Sequence, residues 1–175
     1  FMVEKIIEGK FKNLHFSLFE RELNTAPQNV KLKTDSFFHK ELEIVYVKNG
    51  EHIYFVDDKK YVLKEGDVIF IEPYRVHYNL RNEATDIAHF GFNFDLSVID
   101  CEQIADSLES GLFTINKIIN DEDISKFLFE IYDIYNSKPL MWEIAVRGKL
   151  MLLFHTIFNK GYITKAEAAD DAANL

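Results

Sequence analysis

The chain has 175 residues, 47% of them hydrophobic and 14% aromatic, so it can bury a substantial core, which excludes a disordered class. Its formal net charge of −9 argues against direct binding of this segment to nucleic acid or an anionic membrane. No apolar stretch is long enough to span a membrane, and the lone cysteine, Cys101, suits a reducing compartment. We therefore predict a cytoplasmic location.

The first 34 residues do not show the regular pattern of the rest. Residues 16–19 are strand-like, and the polar run 24–29 contains Pro27, which interrupts regular structure. This pattern indicates either an N-terminal arm or a loosely attached first strand. An arm of this kind could fold over a ligand bound in the following domain.

Between Phe37 and Phe94, short β-type runs alternate with turn signals, which predicts a sandwich or a barrel. Asn49-Gly50 is a strong hairpin signal, and Gly66 is suited to a positive φ in a second turn. The predicted strands are 37–48, 52–56, 60–64, 68–71, 76–80 and 86–94.

Alternation along the first predicted strand places His39 and Glu43 on one face. The same face carries Phe37, Val45 and Val47. The opposite face carries Leu42, Ile44 and Tyr46. The function of this segment depends on whether the first face looks into a cavity.

After Asp100 the hydrophobic spacing becomes helical. Asp100 with Gln103 predicts a capping box for a short helix that ends near Gly111, and acidic residues at 121–123 suit the start of a second helix. A third helix is predicted over 139–160, followed by a C-terminal glycine, Gly161. We predict three parts: a barrel with an N-terminal arm (1–98), a helical dimerisation subdomain (99–163) and a linker (164–175).

The third predicted helix carries two apolar stripes. A surface helix needs only one, so the second stripe predicts a partner, such as a second copy of the chain. An adjacent stripe contains Ile144, Met151, Leu152 and His155. We predict a homodimer whose interface is formed by Trp142, Val146, Leu150, Leu153 and Ile157.

The spacing of His39, Glu43 and Gly50 resembles the first motif of cupins from its second histidine onward. In metal-binding cupins these histidine and glutamate positions are ligands. The leading histidine of that motif is replaced by Phe37, which removes one imidazole.

Gly66-Asp67, an apolar strand, Pro73 and His77 resemble the second cupin motif. Tyr74 and Arg81 stand where that motif has a glycine and an asparagine. Only His39, Glu43 and His77 therefore match metal ligands, and two alternatives stay open. These groups hold a metal, or the histidines hydrogen-bond Glu43 or a ligand.

The order of strands, motifs and trailing helices resembles the N-terminal sensor domain of AraC-type transcription regulators. That resemblance implies a cupin-like double-stranded β-helix (a jelly-roll barrel) followed by two or three α-helices. It also implies binding of an organic effector without a metal or other cofactor, and DNA binding through a C-terminal domain that this sequence lacks. The implied ligand-binding residues are Asp35, Phe37, His39, Glu43, His77, Asn79 and His89.

Some of these residues also have structural interpretations. His89 is either a ligand contact or a core residue, and Asp35 either contacts the ligand or caps a turn. We predict a sensing and dimerisation domain that binds a small polar molecule, for example a sugar, and is not an enzyme. The alternatives are a metal-dependent cupin enzyme, such as an isomerase or dioxygenase, and a carbohydrate-binding or structural cupin.

Overall fold

The computed structural model describes residues 2–11, 14–23, 35–81 and 86–166. The predicted class is confirmed, because β-sheets are followed by three α-helices in these parts of the chain. The strands are β1 (Met2–Phe11), β2 (Leu14–Leu23), β3 (Leu42–Asn49), β4 (His52–Val56), β5 (Lys59–Leu63), β6 (Val68–Ile71), β7 (His77–Arg81), β8 (Ile87–Phe94), β9 (Phe113–Ile115), β10 (Ile118–Ile119) and β11 (Ile163–Lys165). The helices are a 3₁₀ helix (Leu96–Ile99), α1 (Glu102–Glu109), α2 (Glu122–Ser137) and α3 (Trp142–Asn159).

Two antiparallel sheets form the barrel. The larger has the order β1-β2-β8-β3-β6-β10, and the smaller has the order β5-β4-β7. Val45 and Ile69 from the larger sheet and Tyr54 and Leu63 from the smaller one belong to a single buried cluster. The two sheets therefore pack face to face.

The opposite face of the larger sheet packs against the helices. Alternate residues of β8, Phe90, Phe92 and Phe94, are fully buried there, in one cluster with Ile131 of α2 and Leu153 of α3. Strand alternation thus divides each central strand between a helix side and a barrel side, as predicted for the segment around Glu43.

Of the two alternatives for the N-terminal segment, strand structure is found at residues 2–11 and 14–23. β1 and β2 make a hairpin, and β2 pairs with β8 from Phe16 opposite Phe94 to Leu23 opposite Ile87. The polar run 24–29 lies outside the described residues.

The strand that begins the barrel is shorter than predicted. β3 starts at Leu42, while Phe37 forms an isolated bridge with His77 and the chain bends at Lys40. The short strands β9, β10 and β11 were not predicted, because runs of two or three residues show no periodicity.

Two predicted helix starts are wrong, and one cap is confirmed. Asp100 adopts a left-handed conformation at the end of the 3₁₀ helix, so α1 begins at Glu102 without a side-chain cap. Asp121 caps α2 as expected, with its side chain accepting from the amide of Asp123 at 2.9 Å. Met141 has a φ of 61°, so α3 begins at Trp142 rather than at Pro139.

The predicted dimer interface is also wrong in its residues. Val146, Leu150, Leu153 and Ile157 are each 0% exposed, because they pack into the core of their own chain. Trp142 is partly buried, with its ring 5.2 Å from that of Tyr135. These side chains cannot offer a surface to a second copy. The outward stripe of α3 is the adjacent one, with Ile144, Met151 and Leu152 at 63%, 46% and 49% exposure.

A buried carboxylate joins the barrel to the helical part. Glu72, which follows β6, accepts hydrogen bonds from the Thr114 hydroxyl and the Ile115 amide, each at 3.0 Å. It also forms an ion pair with Lys117. Thr164 and Lys165 belong to β11, which pairs with β9, and the rest of the predicted linker from 167 onward lies outside the described residues.

None of the helices in the described parts of the chain combines the length and hydrophobicity that membrane crossing requires.

Candidate functional site

A cavity of about 190 Å³ lies between the two sheets. Six of the seven predicted ligand-binding residues line it, and Asp35 lies outside this lining, in an exposed position. The lining residues are Ser17, Phe19, Glu20, Arg21, Phe37, His39, Glu43, Tyr54, His77, Tyr78, Asn79, His89 and Asn93.

The register of β2, β8 and β3 arranges the wall of this cavity in three rows. Ser17, Asn93 and Glu43 form the first row, Phe19, Gly91 and Val45 the second, and Arg21, His89 and Val47 the third. Alternate residues of a strand are about 7 Å apart, so the first and third rows are separated by about 13 Å.

Glu43 is the centre of the first polar group. Its Oε2 atom lies 3.4 Å from Nε2 of His39 and 3.5 Å from Nε2 of His77. The Asn93 amide, oriented with its nitrogen toward the carboxylate, donates to the same oxygen at 3.0 Å. The two imidazole rings meet edge to face at 4.9 Å. We call His39, Glu43 and His77 the Glu43 cluster.

Backbone carbonyls fix the tautomers of both histidines in the Glu43 cluster. Nδ1 of His39 bonds the Glu41 carbonyl at 3.1 Å, and Nδ1 of His77 bonds the Arg75 carbonyl at 2.9 Å. Because a carbonyl oxygen only accepts, each Nδ1 carries a hydrogen. A neutral imidazole in this position therefore presents a lone pair at Nε2, and a protonated one donates to Glu43.

The Glu43 cluster holds a negative charge in a buried place. Burial raises the pKa of Glu43, but hydrogen bonds and charge from His39 and His77 outweigh burial and lower the pKa to about 2. The hydrogen bond to Glu43 in turn raises the pKa of His39 against the effect of burial. The carboxylate is thus ionised at neutral pH.

A second imidazole pair lies near the third row. The rings of His52 and His89 meet edge to face at 4.7 Å, and each residue is 3% exposed. Burial lowers the pKa of His52 to about 4 and the pKa of His89 well below its ordinary value, and the charge of Arg21 lowers both further. His52 Nε2 and His89 Nδ1 have no hydrogen-bond partner within the described parts of the chain, so both are buried polar atoms that a bound molecule could satisfy.

Several lining residues were missed from the sequence. Ser17, Phe19 and Arg21 reach the cavity from β2, whose pairing with β8 cannot be derived from local periodicity. Asn93 shares a face with His89, and this alternation was the available signal for it.

The Glu43 cluster fits a divalent transition metal. Its three ligand atoms lie within 4.8 Å of one another, and two imidazoles with one carboxylate form a donor set typical of iron and zinc sites. The Nδ1–carbonyl bonds supply the outer hydrogen bonds that usually orient metal-binding imidazoles. Phe37 stacks on His77 at 5.8 Å where the resemblance places a fourth ligand.

A family model described as the AraC-like ligand binding domain matches residues 29–153. No curated protein matches the sequence significantly. Among solved structures, an RmlC-like cupin from Shewanella frigidimarina is 19% identical, with 52% of this chain and 83% of that chain covered and a TM-score of 0.38. A cupin 2 conserved barrel domain protein from Leptotrichia buccalis is 20% identical, with 53% and 40% covered and a TM-score of 0.40.

A salicylate 1,2-dioxygenase variant from Pseudoaminobacter salicylatoxidans, in complex with gentisate, is 12% identical, with 51% and 24% covered and a TM-score of 0.37. The family model covers most of the chain, including the Glu43 cluster and all of β3 to β8. The chain belongs to the AraC-like ligand-binding domain family.

Proposed function

We propose that this domain senses a small polar effector in the barrel cavity and dimerises, as part of a cytoplasmic transcription regulator that binds DNA through a separate domain. The observation that carries the proposal is the cavity between the sheets of an AraC-like domain, with several buried polar groups converging on it. Buried polar groups cost free energy unless they are paired, so binding explains them better than stability does.

The size and chemistry of the cavity favour a small hydrogen-bonding ligand. Its volume of about 190 Å³ is below the roughly 300–1,000 Å³ of pockets for drug-sized molecules. Glu43 accepts hydrogen bonds and Asn79 both donates and accepts, while Tyr54 and Tyr78 offer aromatic surface. This combination suits a sugar or a similar polyhydroxy compound.

A thermal-shift screen of monosaccharides, polyols and small carboxylates tests the effector proposal. A ligand that binds the folded state raises the melting temperature in a saturable way. We expect at least one polyhydroxy compound to do so, and Glu43→Gln to weaken its binding at least tenfold. Phe38→Ala, an exposed residue outside the cavity lining, is the control and should leave binding unchanged. Equal binding by the Glu43→Gln variant would contradict the assigned site.

The outward stripe of α3 supports the dimerisation part of the proposal. Ile144, Met151 and Leu152 are exposed apolar side chains on successive turns, and Gly148 between them has no atom within 4 Å of where a Cβ would stand. Two such helices, crossing antiparallel at Gly148, would approach closely and bury the stripe around a twofold axis.

Sedimentation of a double variant, Ile144→Glu with Leu152→Glu, tests this interface. We expect monomers with an unchanged circular dichroism spectrum, because both side chains point away from the core. Lys126→Glu on the exposed surface of α2 is the control and should sediment like the wild type. A double variant that remains dimeric would exclude this face of α3.

Metal-dependent catalysis is the second candidate function. The observation that favours it is the set of three lone pairs that the Glu43 cluster presents when its imidazoles are neutral. His39, Glu43 and His77 would hold the ion, which would supply Lewis-acid or redox chemistry in the cavity. Metal analysis of protein purified without chelators, compared with His77→Phe, discriminates the two functions. Stoichiometric metal that is lost in the variant would favour an enzyme, and metal-free protein that binds an effector would favour the sensor.

A further inference from the structure

A glycine occupies the middle row of the cavity wall. Gly91 lies in β8 between the inward-facing His89 and Asn93. A Cβ atom at this position would lie 2.4 Å from Cζ of Phe19 and 2.6 Å from the carbonyl oxygen of Ile44. A glycine inside a strand weakens the sheet and often marks a close approach. Here the Phe19 ring fills the space above it.

The Phe19 ring lies between the two polar parts of the cavity. The row before it contains Glu43 and Asn93, and the row after it contains His89. The ring meets the His89 imidazole edge to face at 6.2 Å and packs against the apolar cluster between the sheets. It therefore narrows the interior where a ligand would pass from the Glu43 cluster toward the imidazole pair.

We propose that Phe19, seated on Gly91, is the specificity-determining side chain that limits the length of the ligand in this barrel. This inference deepens the proposed function, because it takes the cavity as the ligand site. His52 does not line the cavity, although its Nε2 atom has no hydrogen-bond partner among the described residues and its ring lies 4.7 Å from that of His89. A smaller side chain at position 19 extends the cavity from His89, which already lines it, toward His52.

The chemistry of the extended cavity is defined by its walls. Val45 and Tyr54 give it apolar sides, since both belong to the cluster against which Phe19 packs. The other ring nitrogen of His52 bonds the backbone of Asn49, and a carbonyl there fixes Nε2 as an acceptor. The space vacated by Phe19 thus fits an aromatic ring that carries one hydroxyl, and phenol is a matching probe.

The test compares phenol binding by Phe19→Ala, Phe19→Leu and the wild type. Binding is measured by the melting temperature and by the side-chain ¹⁵N signals of the histidines. We expect a saturable rise in melting temperature for Phe19→Ala, a smaller one for Phe19→Leu and none for the wild type. The Nε2 signal of His52 should shift in the alanine variant, and His52→Gln in that background should weaken binding at least tenfold. Phe127→Leu, a half-buried ring on α2 outside the cavity, is the matched control.

Phenol binding by the wild type as strong as by the variants would overturn the role of Phe19. Folded variants that bind no more phenol than the wild type would overturn it as well, and the leucine variant decides the question if the alanine variant does not fold. Because phenol reports only on cavity length, a failed effector screen would contradict the sensing function without affecting this result.

Discussion

The two faces of the larger sheet use alternate residues of the same strands for different purposes. On the helix side, β8 contributes Phe90, Phe92 and Phe94, which are fully buried among apolar neighbours. On the barrel side, the same strand contributes His89, Gly91 and Asn93. One face fills space, and the other leaves a cavity on which several polar side chains converge.

This difference teaches where stability and function reside. Apolar side chains on the helix side stabilise the fold when they are buried, because they need no hydrogen-bond partner. Each polar group on the barrel side needs a partner. Among the residues that the structure describes, Glu43 has three, while two imidazole nitrogens have none. Substitutions on the helix side should therefore affect folding, and those on the barrel side should affect pH dependence and binding.

The largest loss of stability is expected from a substitution on the helix side of the larger sheet. Phe92→Ala removes a fully buried ring that contacts Phe16 and Phe90, each at 5.7 Å, and should lower the free energy of unfolding by about 3–5 kcal/mol. Denaturant unfolding measures this change. A loss below about 1 kcal/mol would show that the helix side tolerates a cavity as well as the barrel side does.

The next largest change in stability is expected from protonation of the Glu43 carboxylate. Its pKa falls from 4.5 to about 2 on folding, so its contribution is present above pH 4.5 and is lost as the pH falls toward 2. We expect about 3 kcal/mol of the stability to disappear in this window. Glu43→Gln should remove this dependence, whereas Glu109→Gln, at an exposed position on α1, should retain it. An identical acid profile for Glu43→Gln would contradict the assignment.

The imidazole pair should produce a separate loss at higher pH. The pKa of His52 falls from 6.5 to about 4 on folding, so the unfolded chain binds more protons between these values and stability decreases as the pH falls. The expected size is about 3 kcal/mol for His52, and His52→Gln should reduce the loss in this window without abolishing it, because the pKa of His89 is also lowered on folding. His39 acts in the opposite sense, because its raised pKa contributes stability below pH 6.5 that is lost as the pH rises. Unfolding curves measured below and above pH 6.5 separate these effects, because the His52 loss falls between pH 4 and 6.5 and the His39 loss falls above pH 6.5.

The smallest change in stability is expected from a substitution at the rim of the barrel. Phe38 is 64% exposed, with its ring 6.0 Å from that of Tyr74, so Phe38→Ala should change the free energy of unfolding by less than about 0.5 kcal/mol. A larger loss in denaturant unfolding would show that the rim contributes to the core.

Local patterns predicted much of the fold and part of the site. Alternation correctly placed Glu43 and Ile44 on opposite faces of β3. The turn signals at Gly50 and Gly66 correspond to positive φ values of 81° and 87°. The caps were predicted less well, since Asp121 was correct and Asp100 was not. A cap depends on the conformation of one residue, which neighbouring structure can change.

The predicted dimer interface shows the limit of periodicity on α3. The sequence revealed two apolar stripes, but it could not tell which stripe faces the chain's own core. Leu150 and Leu153 face inward only because α2 and the larger sheet are packed against that side. Ile144 and Leu152 are left outside by the same packing.

The sequence by itself determined the class of fold and most of the strands between Leu42 and Phe94, because spacing and turn chemistry act locally, and its resemblance to the cupin motifs indicated the three residues of the Glu43 cluster. Only the tertiary structure decided that β2 lines the cavity, that Phe19 lies on Gly91 and that His52 meets His89. These contacts join residues far apart in the chain, and strand pairing and sheet packing, which have no local signature, bring them together.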